Sequence, residues 1–198
     1  MLFTRGRLEP RLPAAPLFVW IRRLKRIMLY LIILSFAWLI FQFGLYKIPA
    51  GNDSMAGIYS PGATLIYDRF FAYHDGAVPF FGVKNHGITP DNIVVFIKKG
   101  VRGINRITGA EEKMDFKGVS RVIAVPGEEI EFADNKIVAS DRLYFAKHSH
   151  NFGKEKVPEN QFFVLNENTG SSYYDSRDLG YIKAQEIVGV IVGAMRLW

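Results

Sequence analysis

The hydrophobic positions of this 198-residue chain form two regions with different periodicities. In the first region, Ile27 to Tyr46 is a run of twenty residues without a charged side chain. At about 1.5 Å per residue, a helix of this length spans roughly 30 Å, which is the thickness of a bilayer core. The pattern therefore predicts a transmembrane anchor over residues 27–46.

A cleavable signal peptide is the alternative interpretation of this run. Its apolar core would be about 7 to 15 residues long and would precede a small-residue cleavage site. The run is longer than that, and Ala50-Gly51 is a poor cleavage site, so the sequence favours an uncleaved anchor. The stretch Leu17 to Ile21 is apolar but too short to span, and we expect it at the membrane surface.

The second region begins after Lys47, where apolar runs are short, rich in β-branched and aromatic residues, and separated by Gly, Pro, Asn and Asp. Such runs are typical of strands, and no long helical periodicity follows. The sequence predicts a mainly β chain: the helix, then an all-β domain of short, mostly antiparallel strands over 47–198, sandwich-like or barrel-like. The predicted strands are 64–67, 92–97, 119–125, 129–132, 136–138, 161–165 and 186–192.

Two stretches of this domain are predicted to be loops. Residues 75–91 combine prolines and glycines with apolar side chains, so the loop either touches the lipid surface or packs on its own domain. Residues 147–160 are polar and indicate an exposed excursion. His148 and His150 lie there without a nearby carboxylate or thiol set, so we predict no metal site.

The net charge of +6 is concentrated at one end of the chain. The first 26 residues carry seven basic residues and one acidic residue, whereas the remainder has 18 of each. A nucleic-acid-binding domain would spread its charge over the fold, so we predict no nucleic-acid partner. By the positive-inside rule, the basic tail 1–26 stays in the cytoplasm and the domain after the anchor lies outside it. The absence of cysteine excludes disulfides and a thiol nucleophile.

Three segments of the outer domain carry candidate chemistry, in the order Asn52-Asp53-Ser54-Met55, Ser120 to Glu128, and Asp175-Ser176-Arg177. Together they resemble the motifs of the type I signal peptidases, membrane-bound serine proteases that remove signal peptides from exported proteins. The most specific match is Arg121-Val-Ile-Ala-Val-Pro-Gly-Glu-Glu-Ile-Glu131. The resemblance covers roughly residues 47–198 and includes the anchor.

The resemblance implies that Ser54 is the nucleophile. It also implies that the Ser54 backbone N–H and the side chain of Asn52 are the oxyanion donors. This chain departs from the family pattern at Gly57-Ile58, where Pro-Thr is usual, and in the spacing between Gly51 and Ser54.

The general base is the largest departure, because Ser120 occupies the position of the family's catalytic lysine. A buried lysine can act as a base in its neutral form, but a serine hydroxyl is no stronger a base than the hydroxyl it would activate. One replacement is Lys117, which lies on the opposite face of a regular strand unless a bulge at Gly118 changes the parity. A loop lysine such as Lys113 is another replacement, and complete loss of the base is the third alternative.

The third segment implies supporting roles in the site. By resemblance Ser172 supports the base, in a register left open by one inserted residue. Asp175 and Arg177 form an ion pair that holds the site together, and Arg121 is a further supporting residue.

The sequence thus predicts a serine endopeptidase in the cell membrane that needs no cofactor and cleaves preproteins after small residues. It would bind the cleavage region by strand addition. Predicted partners are signal peptides, the lipid bilayer and a secretion or conjugation apparatus, since the first segment also resembles peptidases that process conjugative pilins. The alternative is a homologue that has lost the chemistry and binds or regulates without cleavage.

Overall fold

We analysed a computed structural model that describes residues 16–69, 87–104, 111–133, 136–139, 142–145 and 153–195. Most of the predicted loop 75–91 lies outside the described residues, as do residues 1–15 of the basic tail, His148 and His150. By its internal contacts the chain divides into two units, residues 1–41 and residues 42–198.

The first unit contains helix α1, Pro16–Gln42, whose last residue lies one position beyond the end of the unit at Phe41. Its segment Trp20–Gln42 is long and apolar enough to cross a membrane, with a mean hydropathy of 1.9. The most apolar part of this segment is not buried against the rest of the protein. The predicted surface stretch 17–21 is continuous with this helix.

The helix ends four residues before the predicted limit of the anchor at Tyr46. Residues Phe43–Lys47 form strand β1, in which Gly44 and Tyr46 are buried and Leu45 is exposed. Gly44 disfavours a helix, and the ring of Tyr67 occupies the space that a side chain at this position would fill. Residues 27–46 are uniformly apolar, so hydropathy could not show that the helix ends at Gln42 and that a strand with alternating burial follows.

A seven-stranded antiparallel sheet forms most of the second unit, in the order β1-β2-β11-β3-β4-β9-β10. The remaining six strands after β1 are β2 Thr64–Asp68, β3 Ile93–Ile104, β4 Glu111–Ala124, β9 Gln161–Leu165, β10 Ile182–Lys183 and β11 Ile187–Met195.

A second antiparallel sheet has the order β7-β6-β5-β8. Its strands are β5 Glu129–Ala133, β6 Lys136–Ala139, β7 Arg142–Phe145 and β8 Gly153–Lys156. The predicted excursion 147–160 therefore contains an edge strand, β8, whose four residues are all exposed. The predicted fold class is confirmed: one apolar N-terminal helix precedes a domain of antiparallel strands.

Two short helices complete the described chain. Helix α2, Ser176–Leu179, is capped by Asp175, whose carboxylate accepts from the Arg177 N–H. A 3-10 turn, Ala184–Glu186, leads into β11.

Three buried clusters fill the second unit, and the one that matters for the site surrounds Met55. We call it the Met55 cluster, and it joins the segment after β1 to the centre of the large sheet. Its members are Tyr46, Ile48, Met55, Leu65, Tyr67, Val95 and Val119.

Candidate active site

The segment that carries Ser54 is a series of tight turns between β1 and β2. The Asn52 N–H donates to the Pro49 carbonyl and the Ala56 N–H to the Asp53 carbonyl, each at 2.9 Å. The side chain of Met55 is fully buried in the Met55 cluster. Local backbone bonds and this one apolar anchor therefore fix Ser54 beside the sheet.

The hydroxyl of Ser54 is buried and has no hydrogen-bond partner. It is the one such side-chain atom in the described part of the chain, and Ser54 is only 2% exposed. A buried polar group without a hydrogen-bond partner reduces the stability of the fold by about 1–3 kcal/mol. Such a group calls for an explanation, and a functional role is one.

Asn52 lies against Ser54 in a different arrangement from the one the resemblance implied. Its Oδ1 accepts from the Ser54 N–H at 2.8 Å. The Ser54 N–H and the Asn52 side chain were both expected to donate to the oxyanion. Instead, the Ser54 N–H donates to Asn52. For Ser54 N–H to serve as an oxyanion donor, this bond must open.

Ser120 lies fully buried in β4, next to β9. Its Oγ donates to Asn166 Oδ1 at 2.8 Å, and the Asn166 amide nitrogen donates to the Tyr173 carbonyl at 2.8 Å. The position of the family's lysine is therefore filled by a satisfied neutral hydroxyl. Sequence reasoning had not singled out Asn166, although its place just after an apolar strand was a signal.

Lys117 lies in the same strand, and its pairing is regular. Register runs without a shift from Ile93–Arg121 to Lys98–Phe116, so no bulge at Gly118 changes the parity. Lys117 therefore points to the opposite face from Ser120. Its ammonium lies 5.1 Å from the ring centroid of Tyr46 and 5.9 Å from that of Tyr67.

These rings bear on whether Lys117 could serve as a base. A cation–π contact attracts the charged ammonium, whereas a general base must be the neutral amine. Burial, and secondarily the nearby Tyr173, raise the pKa of Tyr46, so its ring stays neutral. Lys113 is exposed and lies seven residues from Ser120, roughly 23 Å along a strand.

Asp53 joins the Ser54 segment to the chain that follows β9. Its two oxygens accept from Ser171 Oγ at 2.6 Å and from Asn168 Nδ2 at 3.0 Å. The Asn168 N–H donates in turn to the Ser54 carbonyl at 2.9 Å. Sequence reasoning missed this clamp, because its members are more than 110 residues apart.

Ser172, the predicted support for the base, is exposed, while its neighbour Ser171 is 1% exposed. The inserted residue left the register open, and the structure places Ser171 rather than Ser172 beside the Ser54 segment.

Asp175 and Arg177 lie in a fully buried ion pair, with the two groups 2.6 Å apart. Asp175 also accepts from the Asn166 N–H at 3.1 Å, and Arg177 donates to the Thr169 carbonyl at 3.0 Å. The pair therefore holds both ends of the 166–169 segment, which in turn contacts Ser120 and Ser54.

Arg121 lies at the outer rim of this arrangement. Its Nε donates to Glu167 at 2.9 Å and its Nη1 to the Asp91 carbonyl at 3.0 Å. Among the described residues, no cluster of His, Asp and Glu has the composition to hold a metal ion.

The site thus consists of a buried serine hydroxyl without a hydrogen-bond partner, in a β domain, beside the polar 166–169 segment. The family model described as "Signal peptidase, peptidase S26" matches residues 20–198, and the chain belongs to that family.

Three curated relatives, all signal peptidases I by name, match part of the chain, and two of them show the extent of the match. Signal peptidase I of Leptolyngbya laminosa is 32% identical over 85 residues, which are 40% of this chain and 40% of that protein. Signal peptidase I V of Bacillus subtilis (strain 168) is 35% identical over 95 residues, 38% of this chain and 56% of that one. The matched regions thus span less than two thirds of either relative.

Among solved structures, a signal peptidase I from Enterococcus faecalis V583 covers 52% of this chain and 95% of its own. Its TM-score is 0.33 at 19% identity, a likeness too loose for a comparison of side chains.

Proposed function

We propose that this chain binds the cleavage region of signal-peptide-bearing preproteins without cleaving it. One observation carries the proposal: no lysine or histidine in the described part of the chain forms a hydrogen bond with the Ser54 hydroxyl. A serine hydroxyl is a weak nucleophile until an adjacent base removes its proton.

Ser120 and Lys117, two of the positions that the sequence offered for the base, both make other contacts. Ser120 donates a hydrogen bond to Asn166, and a neutral hydroxyl is too weak a base to activate another serine. Lys117 lies on the opposite face of β4 from Ser120, with its ammonium 5.1 Å from the ring centroid of Tyr46. Among the described residues, none is hydrogen-bonded to the Ser54 hydroxyl as a proton acceptor.

Peptide recognition does not depend on the missing amine. Strand addition uses backbone hydrogen bonds and shallow pockets, and small residues at the first and third positions before the cut would fill those pockets. Helix α1 would hold the domain at the bilayer that contains the apolar part of the signal peptide, with the basic tail in the cytoplasm. A secretion or conjugation apparatus is the setting in which binding without cleavage would regulate export.

An active serine endopeptidase is the second candidate, and the unpaired Ser54 hydroxyl favours it. In that reaction Ser54 Oγ would attack the scissile carbonyl and form an ester while the amine leaves. Water would then hydrolyse the ester to release the enzyme. The base would have to come from a group that moves to Ser54 when substrate binds.

Cleavage and binding assays with matched variants test the two candidates. The full chain in detergent, Ser54→Ala, Ser120→Lys and the double variant would each be incubated with a labelled preprotein peptide carrying alanine at the first and third positions before the cut. We expect the native chain to bind without cleaving and Ser120→Lys to cleave. The double variant should be inactive, which would assign the restored cleavage to Ser54.

Two outcomes would overturn the proposal. Cleavage by the native chain that disappears in Ser54→Ala would establish the active peptidase. Failure of every form to bind this peptide and a second one would exclude signal-peptide recognition.

A further inference from the structure

A cleft of about 690 Å³ lies between β7 and the segment that follows β9. Its wall is partly apolar, with Ile123 and Leu165 buried and Leu143 68% exposed. The remaining lining residues are polar or charged, and the four charged ones are Asp91, Arg121, Arg142 and Glu167.

The four charged side chains form one alternating chain of ion pairs. Arg142 lies 2.5 Å from Asp91, Asp91 lies 3.7 Å from Arg121, and Arg121 lies 2.9 Å from Glu167. The side chain of Arg142 is 58% exposed, against 22% for Arg121. Arg142 is therefore the end cation, with one acidic partner and most of its surface open to a ligand.

Asp91 is held in an uncommon backbone conformation at the centre of this chain. Its φ is +72°, which Asp and Asn tolerate better than most residues. Its N–H donates to the Val122 carbonyl at 2.9 Å, and its carbonyl accepts from Arg121 at 3.0 Å. Fixed conformations of this kind occur at ligand sites, where the surrounding structure must maintain them.

The cleft adjoins the candidate active site through the 166–169 segment. Asn166 lines the cleft and also accepts from Ser120. Thr169 lines it as well, and its neighbour Asn168 donates to the Ser54 carbonyl. The 166–169 segment therefore borders both the cleft and the Ser54 segment.

We propose that the cleft binds the mature-side segment of the preprotein and selects an acidic side chain there, which pairs with Arg142 in competition with Asp91. The inference rests on the proposed function above. Residues just after an export signal must cross the membrane, and flanks on the outer side are depleted of lysine and arginine. A segment with few lysines and arginines does not repel the Arg142 guanidinium. An acidic side chain in it could pair with that guanidinium through two parallel hydrogen bonds.

Binding of two matched peptides to the full chain in detergent tests the proposal. The labelled probes span the cleavage site and differ only in Glu or Gln at the second and third mature positions. We expect the Glu peptide to bind about three- to fivefold more tightly at low salt, with the difference shrinking as salt rises. Arg142→Gln should remove the difference, whereas Arg102→Gln, an exposed arginine outside the cleft, should keep it.

Asp91→Asn provides a test of opposite sign. Asparagine tolerates the positive φ, so the turn keeps its geometry while Arg142 loses its internal counter-charge. The variant should bind the Glu peptide more tightly than the native chain and leave the Gln peptide unchanged.

The outcomes separate this inference from the function on which it rests. Equal affinity for both peptides, or no gain in Asp91→Asn, would overturn the acidic subsite while leaving signal-peptide binding intact. Absence of binding for both peptides would overturn the proposed function and the subsite with it.

Discussion

Asp175 and Arg177 show how much a single buried pair contributes to this site. Both side chains are completely buried, and each also bonds to the 166–169 segment. Asp175→Asn would leave the Arg177 cation without its counter-charge, and we expect the free energy of unfolding to fall by about 3–5 kcal/mol in urea titrations.

Glu131→Gln is the control for that substitution. Glu131 pairs with Lys154 at 3.3 Å, but both side chains are about half exposed. Its loss should cost less than about 1 kcal/mol. Similar losses in the two variants would show that the buried pair does not hold the 166–169 segment.

Among single residues, the sequence identified those that belong to a recognisable motif. It did not identify those whose role depends on long-range hydrogen bonds. Ser54, Ser120, Asp175 and Arg177 were singled out because their order along the chain is distinctive. Asp53 stands in the first of these segments but was given no role, since its bonds reach residues more than 110 positions away. Such a role follows from the fold alone, and no local pattern announces it.

Strand β4 illustrates the same point for an element. The sequence predicted a strand over 119–125, whereas β4 begins at Glu111 and pairs with β3 as a long hairpin. Residues 111–115 are all exposed and only Met114 among them is apolar, so apolar periodicity could not reveal this part of the strand. Backbone hydrogen bonds to β3 maintain the strand where side-chain burial does not.

Gly118→Ala tests how closely β4 packs. A Cβ at Gly118 would lie 2.7 Å from the rings of both Phe96 and Phe116. We expect the free energy of unfolding to fall by about 1–3 kcal/mol, as for overpacked cores. Gly153→Ala in β8 is the matched control, because nothing lies within 4 Å of its added Cβ. Equal denaturation midpoints for the two variants would contradict this account of the β4 packing.

For the whole molecule, the limit between helix and sheet decides where the outer domain begins. The sequence placed that limit after Tyr46, whereas β1 begins at Phe43 and Tyr46 belongs to the Met55 cluster. Apolar residues of a span and of a buried strand are chemically alike, so hydropathy alone could not separate them. The class of the fold was predictable because its strands show clear turn signals.

Two truncated chains test this boundary, one starting at Gln42 and one at Lys47. Both lack the apolar helix, but only the first keeps β1 and the buried ring of Tyr46. We expect the shorter chain to lose about 3–5 kcal/mol of the free energy of unfolding, as when a buried aromatic side chain is removed. Coincident urea transitions would place the start of the domain after Tyr46.

The clamp between Asp53 and Ser171 has a consequence for the order of folding. Its two members are 118 residues apart, and contacts between such distant positions form slowly because a long loop must close first. A chain made from its N-terminus exposes Ser54 long before Asn168 and Ser171 exist. Strands β3 and β4 can therefore pair while the site is still open. The arrangement around Ser54 forms later, in the same stage as β11, which follows Ser171 in the chain and lies between β2 and β3.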